Sequence, residues 1–137
     1  MKISKPFIIA DSSGLYSLAH SIDSNHQKAV KISIKISENN WKMIIPSDVF
    51  SEILNVVGKK LGKEKQLDLT RDLLSGDFLI IESDEKTRLS AVEKLKKLPN
   101  SVSYTDCAVM AFADEYKTKE IFGFDEVFSK EGYKLPV

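Results

Sequence analysis

The sequence predicts a three-layer α/β/α fold around a mainly parallel sheet of four or five strands. Two observations carry this. Short apolar runs of strand length recur at residues 7–10, 43–45, 78–81 and 121–122, and uninterrupted runs of this kind suit strands buried on both faces of a parallel sheet. Between successive runs lie two helical patterns each time, giving the order β-α-α-β-α-α-β-α-α-β. Parallel neighbours need such crossovers, and the helices then cover both faces.

The elements follow in order. Phe7-Ile8-Ile9-Ala10 is a strand, ended by Asp11-Ser12-Ser13, whose side-chain oxygens suit the cap of a helix through Leu15, Leu18 and Ala19. From Asp23 to Asn40 the isoleucines 32, 34 and 36 alternate as in a strand. Helix is preferred there, because Lys28, Lys31 and Lys35 then share one outer face. Met43-Ile44-Ile45 is a second strand stopped by Pro46, with Ser47 or Asp48 capping a helix that buries Val49, Ile53, Val56 and Val57 and ends near Gly58 and Gly62. A further helical stretch runs from Leu67 to Leu74 and breaks at Gly76. After the third strand, Asp84 opens a helix with Leu89, Val92, Leu95 and Leu98 as its apolar stripe and Lys94, Lys96 and Lys97 toward solvent. Pro99-Asn100 ends it. Ser103-Tyr104-Thr105-Asp106 is a capping-box-like start to the next helix. Ile121-Phe122 is the fourth strand, followed by Asp125, and the tail 132–136 offers a short edge strand.

Composition narrows the classes of function. The 137 residues are read as one domain, 1–137, long enough for a real core. With 20 basic and 20 acidic residues, no global field draws the protein to nucleic acid or to a membrane. Only Arg71 and Arg88 are arginine, so anion binding leans on lysine point charges. Lys59, Lys60, Lys63 and Lys65 form a basic cluster, either a solvated helix end or a contact for a phosphate backbone. A lone Cys107 excludes an internal disulfide and a cysteine zinc site, and is read as a buried thiol. His20 and His26 lie six residues apart, about 120° around a helix, which separates them as an acid–base pair and leaves them as surface residues. No leader and no membrane span is legible, so a soluble cytoplasmic protein is expected.

Four acids stand where an open parallel sheet binds ligands, outside the carboxyl ends of its strands. Asp11 ends the first strand, Glu52 lies in the second turn of the helix after the second strand, Asp106 starts a helix, and Asp125 follows the fourth strand. Asp11 is open to two readings, a helix cap or a ligand, and Glu52 likewise, a half-exposed surface acid or a ligand. Clustered carboxylates without a nearby cation repel one another. A hard divalent ion such as Mg²⁺ relieves that repulsion, polarises a phosphoryl oxygen and acidifies its bound water. The chemistry implied is phosphodiester hydrolysis. Asp114, eight residues beyond Asp106 on the same helix, should stay outside the cluster.

The pieces D-S-S-x-L (Asp11, Ser12, Ser13, Leu15), S-E-I-L-N (Ser51 to Asn55), T-D-C-A around Asp106, and F-D-x-x-F (Asp125, Phe128) span the chain. In order and spacing they resemble the PIN-domain nucleases, particularly the toxin-type ribonucleases of toxin–antitoxin pairs. The resemblance implies a PIN-like fold and a Mg²⁺- or Mn²⁺-dependent ribonuclease with Asp11, Glu52, Asp106 and Asp125 as ligands. It also implies an RNA substrate, a homodimer and a small antitoxin partner, with Val56, Val57, Leu61 and Leu67 as candidates for a contact surface. One position departs. The family commonly carries Thr or Ser two residues before the last acid, where this chain has Gly123; a hydroxyl that would orient a ligand is missing there. Gly123 favours one rival, an RNA-binding PIN fold that does not cut. A second rival, a phosphoryl-transfer domain using Asp11 as nucleophile, needs a lysine after a later strand. Lys119 precedes its strand and Lys130 lies beyond Asp125.

Overall fold

The structure is a computed structural model and describes residues 7–137. Four strands, β1 (Ile8–Ala10), β2 (Met43–Pro46), β3 (Phe78–Ile81) and β4 (Ile121–Phe122), form one sheet in the order β3-β2-β1-β4. Every pairing is parallel. The predicted order of elements is the observed one, with α1 (Ser12–Ala19) and α2 (His26–Glu38), α3 (Ser47–Leu61) and α4 (Lys63–Leu73), and α5 (Glu85–Lys97) and α6 (Tyr104–Glu115) as the three paired crossovers. A short helix after the last strand, α7 (Glu126–Lys130), was not anticipated.

Topology places the site. The first two crossovers advance in one direction from β1 to β2 to β3, and the third returns past them to β4. Right-handed connections then put α1–α4 on one face and α5–α6 on the other. Strand β1 is central and wholly buried, and β2 is buried along its length. Ile8, Ile9, Ile44, Ile45, Phe112 and Phe122 are among the largest fully buried side chains. All strands run the same way, so their carboxyl ends share one edge, where Asp11 and Asp125 emerge.

Local chemistry explains where the elements differ from expectation. Pro46 does not stop β2 but is its last residue, paired with Ile81, and also the residue before α3. It lacks an N–H to donate, which the end of a strand tolerates; Ser47 is already helical, and no side chain caps this helix. Helix α5 buries Thr87 and Ala91 with Leu98 half-buried, a stripe at i, i+4 and i+11. It rests on the alanine-rich α6, and small side chains let the two helices approach closely. The predicted leucine stripe faces outward instead: Leu89 is 60% exposed, Val92 37% and Leu95 39%. Lys94 turns inward rather than to solvent and pairs with Asp114 at 2.7 Å. Val57 joins the core, Val56 and Leu61 are half-buried, and Leu67 is exposed. The tail makes a single parallel bridge, Glu120 with Lys134, rather than a strand. His20 and His26 sit on different helix ends, both half-buried, and His26 Nδ1 donates to the Ser17 carbonyl at 2.8 Å. Among the described residues no helix is long and apolar enough to cross a membrane.

Candidate metal centre

Asp11 leaves the end of β1 with its backbone N–H bound to the Phe122 carbonyl at 3.0 Å. Its side chain is only 1% exposed. One carboxylate oxygen, Oδ2, accepts from the Ser13 N–H at 3.0 Å and the Ser13 hydroxyl at 2.6 Å, which is the cap of α1. The other, Oδ1, is buried and has no hydrogen-bond partner. The capping reading of Asp11 is met by Oδ2, and Oδ1 takes no part in the cap.

Asp106 is fixed by a full capping box: its N–H donates to Ser103 Oγ at 3.0 Å, and its Oδ2 accepts from the Ser103 N–H at 3.4 Å. Asp125 stands at the N-terminus of α7 without capping it. One carboxylate oxygen from each of Asp11, Asp106 and Asp125 lies within 4.8 Å of the others. Glu52 lies outside that trio. It accepts a short hydrogen bond from the Ser12 hydroxyl, and its charge bears on both Asp11 and Asp125. Asp114 is held away, by Lys94 on one oxygen and by the Tyr133 hydroxyl, at 2.7 Å, on the other.

The electrostatics are those of an uncompensated anionic site. Burial pushes the Asp11 carboxyl up to about 6 against the hydrogen bonds from Ser13, and the charges of Asp106 and Glu52 add to the rise. Asp106 is likewise raised to about 6, by burial first and by the Asp125 charge second. Burial and then Asp11 raise Asp125. Among the described residues no ion pair reaches any of the four acids.

Three neighbouring carboxylates, with a buried Asp11 oxygen that has no hydrogen-bond partner, fit a divalent cation. Mg²⁺ takes oxygen ligands at about 2.0–2.1 Å, and oxygens within 4.8 Å of one another can close on such an ion with small adjustments. Its charge would reverse the upward shifts at once.

The serines are the parts of the site that sequence reasoning undervalued. Ser12 and Ser13 looked like cap residues, yet Ser12 fixes Glu52 across 40 positions of sequence. Ser13 Oγ also accepts from the Phe124 N–H at 2.9 Å, tying the approach to Asp125 onto Asp11. Nothing in D-S-S distinguishes these long-range bonds from an ordinary helix cap. Gly123 is explained by the same contacts. A Cβ on it would come within 2.7 Å of Asp11 Cβ and 3.2 Å of Ser13 Oγ. Ser13 Oγ, beside that position, already donates to Asp11 Oδ2 at 2.6 Å.

The family model described as PIN domain matches residues 8–132. The chain belongs to the PIN-domain family. Solved structures share the fold of this PIN domain. The sarcin–ricin-loop-cleaving toxin VapC20 of Mycobacterium tuberculosis superposes with a TM-score of 0.83 at 18% identity, over 93% of this chain and 96% of that one. VapBC2 of Rickettsia felis, bound to a DNA fragment from its promoter, gives 0.61 at 16% identity, over 84% of each chain. A toxin–antitoxin complex from Klebsiella pneumoniae gives 0.58 at 19% identity, over 83% of this chain and 82% of that one. At these identities the likeness is one of fold. No curated protein sequence matches the chain.

Proposed function

We propose that this PIN domain is a ribonuclease dependent on Mg²⁺ or Mn²⁺, and that it is the toxin of a toxin–antitoxin pair. The observation that carries the reading is the convergence of one carboxylate oxygen each from Asp11, Asp106 and Asp125 within 4.8 Å, with the buried Asp11 Oδ1 left without a hydrogen-bond partner. In this reading Asp11, Asp106 and Asp125 hold the ion and Glu52, positioned by Ser12, completes the acidic set. The ion, when bound, polarises a phosphoryl oxygen and lowers the pKa of a bound water. The capping box on Asp106 and the Ser13 bonds to Asp11 hold those two carboxylates before substrate arrives, so little reorganisation is needed. The fold is shared with a toxin named for cleaving the sarcin–ricin loop and with a toxin–antitoxin complex, which supports a nuclease toxin with an antitoxin partner. The test is incubation with a panel of RNAs in Mg²⁺, Mn²⁺ and EDTA. Cleavage in either ion that EDTA abolishes is expected; binding without cleavage in every ion would leave the non-cutting RNA-binding reading.

The homodimer belongs to the same proposal. We assign its surface to α5, where Leu89, Val92 and Leu95 are exposed; of Val56, Val57, Leu61 and Leu67, only Leu67 is exposed and Val57 is in the core. Leu89→Glu is expected to convert a dimer to a monomer in sedimentation at tens of micromolar, with the melting temperature nearly unchanged because Leu89 is outside the core. A wild type that sediments as a monomer at that concentration rules out the dimer.

A further inference from the structure

Two depressions flank Asp125, and Asp125 and Glu126 line both. One, of about 380 Å³, also touches Asp106 and is walled by Leu98, Val102, Val127, Lys130 and Glu131. The other, of about 270 Å³, lies between α2, β4 and α7 and is walled by Asn25, Lys28, Phe124, Tyr133 and Lys134. In the ribonuclease reading, an RNA strand with a phosphate at the acids would pass Asp125 toward these hollows.

Their chemistry differs. Setting aside Asp106 and Asp125, the larger hollow offers Lys130 against Glu126 and Glu131, and Lys130 is already paired with Glu126 at 3.4 Å. The smaller offers Lys28 and Lys134 against Glu126 alone, and among the described residues neither lysine forms an ion pair. The smaller hollow also has an aromatic wall. Phe124 is half-buried, with Phe122 packed edge-on at 6.3 Å between ring centroids. Its backbone N–H is bound to Ser13 Oγ, the same hydroxyl that holds Asp11, so the backbone that carries the ring is tied to the acids. Asn25 precedes α2 without capping it, which leaves its amide to donate and accept at a base edge. Unpaired bases are recognised by this combination: an aromatic face, cations for the adjoining phosphate, and an amide for the edge.

We propose that the hollow formed by Phe124, Lys28, Lys134 and Asn25 binds the unpaired base next to the scissile phosphate. Phe124 stacks on the base, and the two lysines hold the phosphate beyond it. The inference rests on the ribonuclease reading. It gives the site a preference for single-stranded RNA on the α2 side of Asp125.

The experiment uses the Mn²⁺-loaded protein and short unstructured RNAs in which the base on each side of the cut is removed in turn. Wild type is expected to lose about tenfold in kcat/KM, through KM, when the base on one side is absent. Phe124→Leu keeps most of the apolar volume without the ring; it should lose a similar factor on intact RNA and nothing further on the abasic one. Lys28→Gln, on an exposed helix face, should raise KM and flatten the salt dependence without moving kcat. The proposal is overturned if wild type is unaffected by removal of the base on each side in turn, or if Phe124→Leu shows the wild-type loss on the abasic RNA. It is equally overturned by a Lys28→Gln variant with unchanged KM and salt slope. If wild type cleaves no RNA in any metal, the nuclease reading has failed. Fluorescence anisotropy with the same RNA pairs then decides the hollow alone: an intact-over-abasic preference that Phe124→Leu abolishes supports it, and no preference in wild type ends it.

Discussion

Asp11→Asn is expected to lower RNA cleavage by orders of magnitude and, in EDTA, to melt at a higher temperature than wild type. The two effects share a cause. Asp11 is almost fully buried, and its carboxyl is raised from 3.8 to about 6 chiefly by that burial. A raised folded-state pKa means that between those values the folded protein holds more protons than the unfolded chain. Its stabilising effect is complete below the unfolded value and is lost as pH rises through about 6. The metal-free wild type should therefore be more stable near pH 4–5 than at pH 7, so far as Asp11 and Asp106 dominate. A shift of about two units corresponds to roughly 3 kcal/mol as an upper bound for the buried Asp11 charge, shared with the acids that face it. Asparagine caps a helix as well as aspartate, so the substitution removes the charge and keeps the cap. Each kcal/mol recovered raises the melting temperature by about 4 °C in a domain of this size. Asp106→Asn should gain less, because it gives up a favourable acid at a helix N-terminus worth about 0.3–1 kcal/mol. Added Mg²⁺ should stabilise wild type by mass action and the variants less. Melting curves in EDTA and in Mg²⁺, with an RNA cleavage assay, decide. Variants that are destabilised in EDTA, respond to Mg²⁺ as wild type does and cut RNA normally would show that the acids only cap helices.

The legibility of this fold follows from how locally each feature is encoded. Parallel strands advertise themselves as apolar runs because both faces are covered, so β1 to β4 and the order of the crossovers could be read directly. The Asp106 capping box was legible for the same reason, since its donor and acceptor lie three residues apart. Helix α5 misled because two apolar stripes compete on it. Periodicity weighs Leu89, Val92 and Leu95 above Thr87 and Ala91, and only the close approach of α6 selects the smaller residues. The short α7 has too few residues to show a period. At the site, the acids could be listed from their places at strand ends and helix starts, but the partnership of Ser12 with Glu52 and of Ser13 with Phe124 depends on which helices lie side by side. The split between the oxygens of Asp11, one capping and one orphaned, has no counterpart in sequence at all.

Gly123→Thr is expected to reduce both stability and activity, although it restores a hydroxyl that the family commonly carries at this place. The new Cβ would lie 2.7 Å from Asp11 Cβ, 2.9 Å from Phe128 Cε2 and 3.2 Å from Ser13 Oγ. None of the three can retreat cheaply. Asp11 is anchored at a strand end through its N–H to the Phe122 carbonyl, Phe128 is 3% exposed, and Ser13 Oγ is committed to Asp11 and to the Phe124 N–H. Overpacking of this kind costs about 1–3 kcal/mol. The larger effect should be on rate, because the displaced atom carries a proposed metal ligand, and a misplacement of about 1 Å can cost on the order of a hundredfold. Ser13→Ala separates crowding from chemistry. It creates no clash but leaves Asp11 Oδ2 and the Phe124 N–H each short of a partner, for about 1–3 kcal/mol where such groups are buried. If position 123 merely exchanges one hydroxyl for another, the double variant Gly123→Thr with Ser13→Ala should recover the activity of wild type. If crowding against Asp11 dominates, the double variant stays as slow as Gly123→Thr alone. A single Gly123→Thr variant that melts and cleaves like wild type would show instead that the backbone at 123 yields enough to admit a side chain beside Asp11.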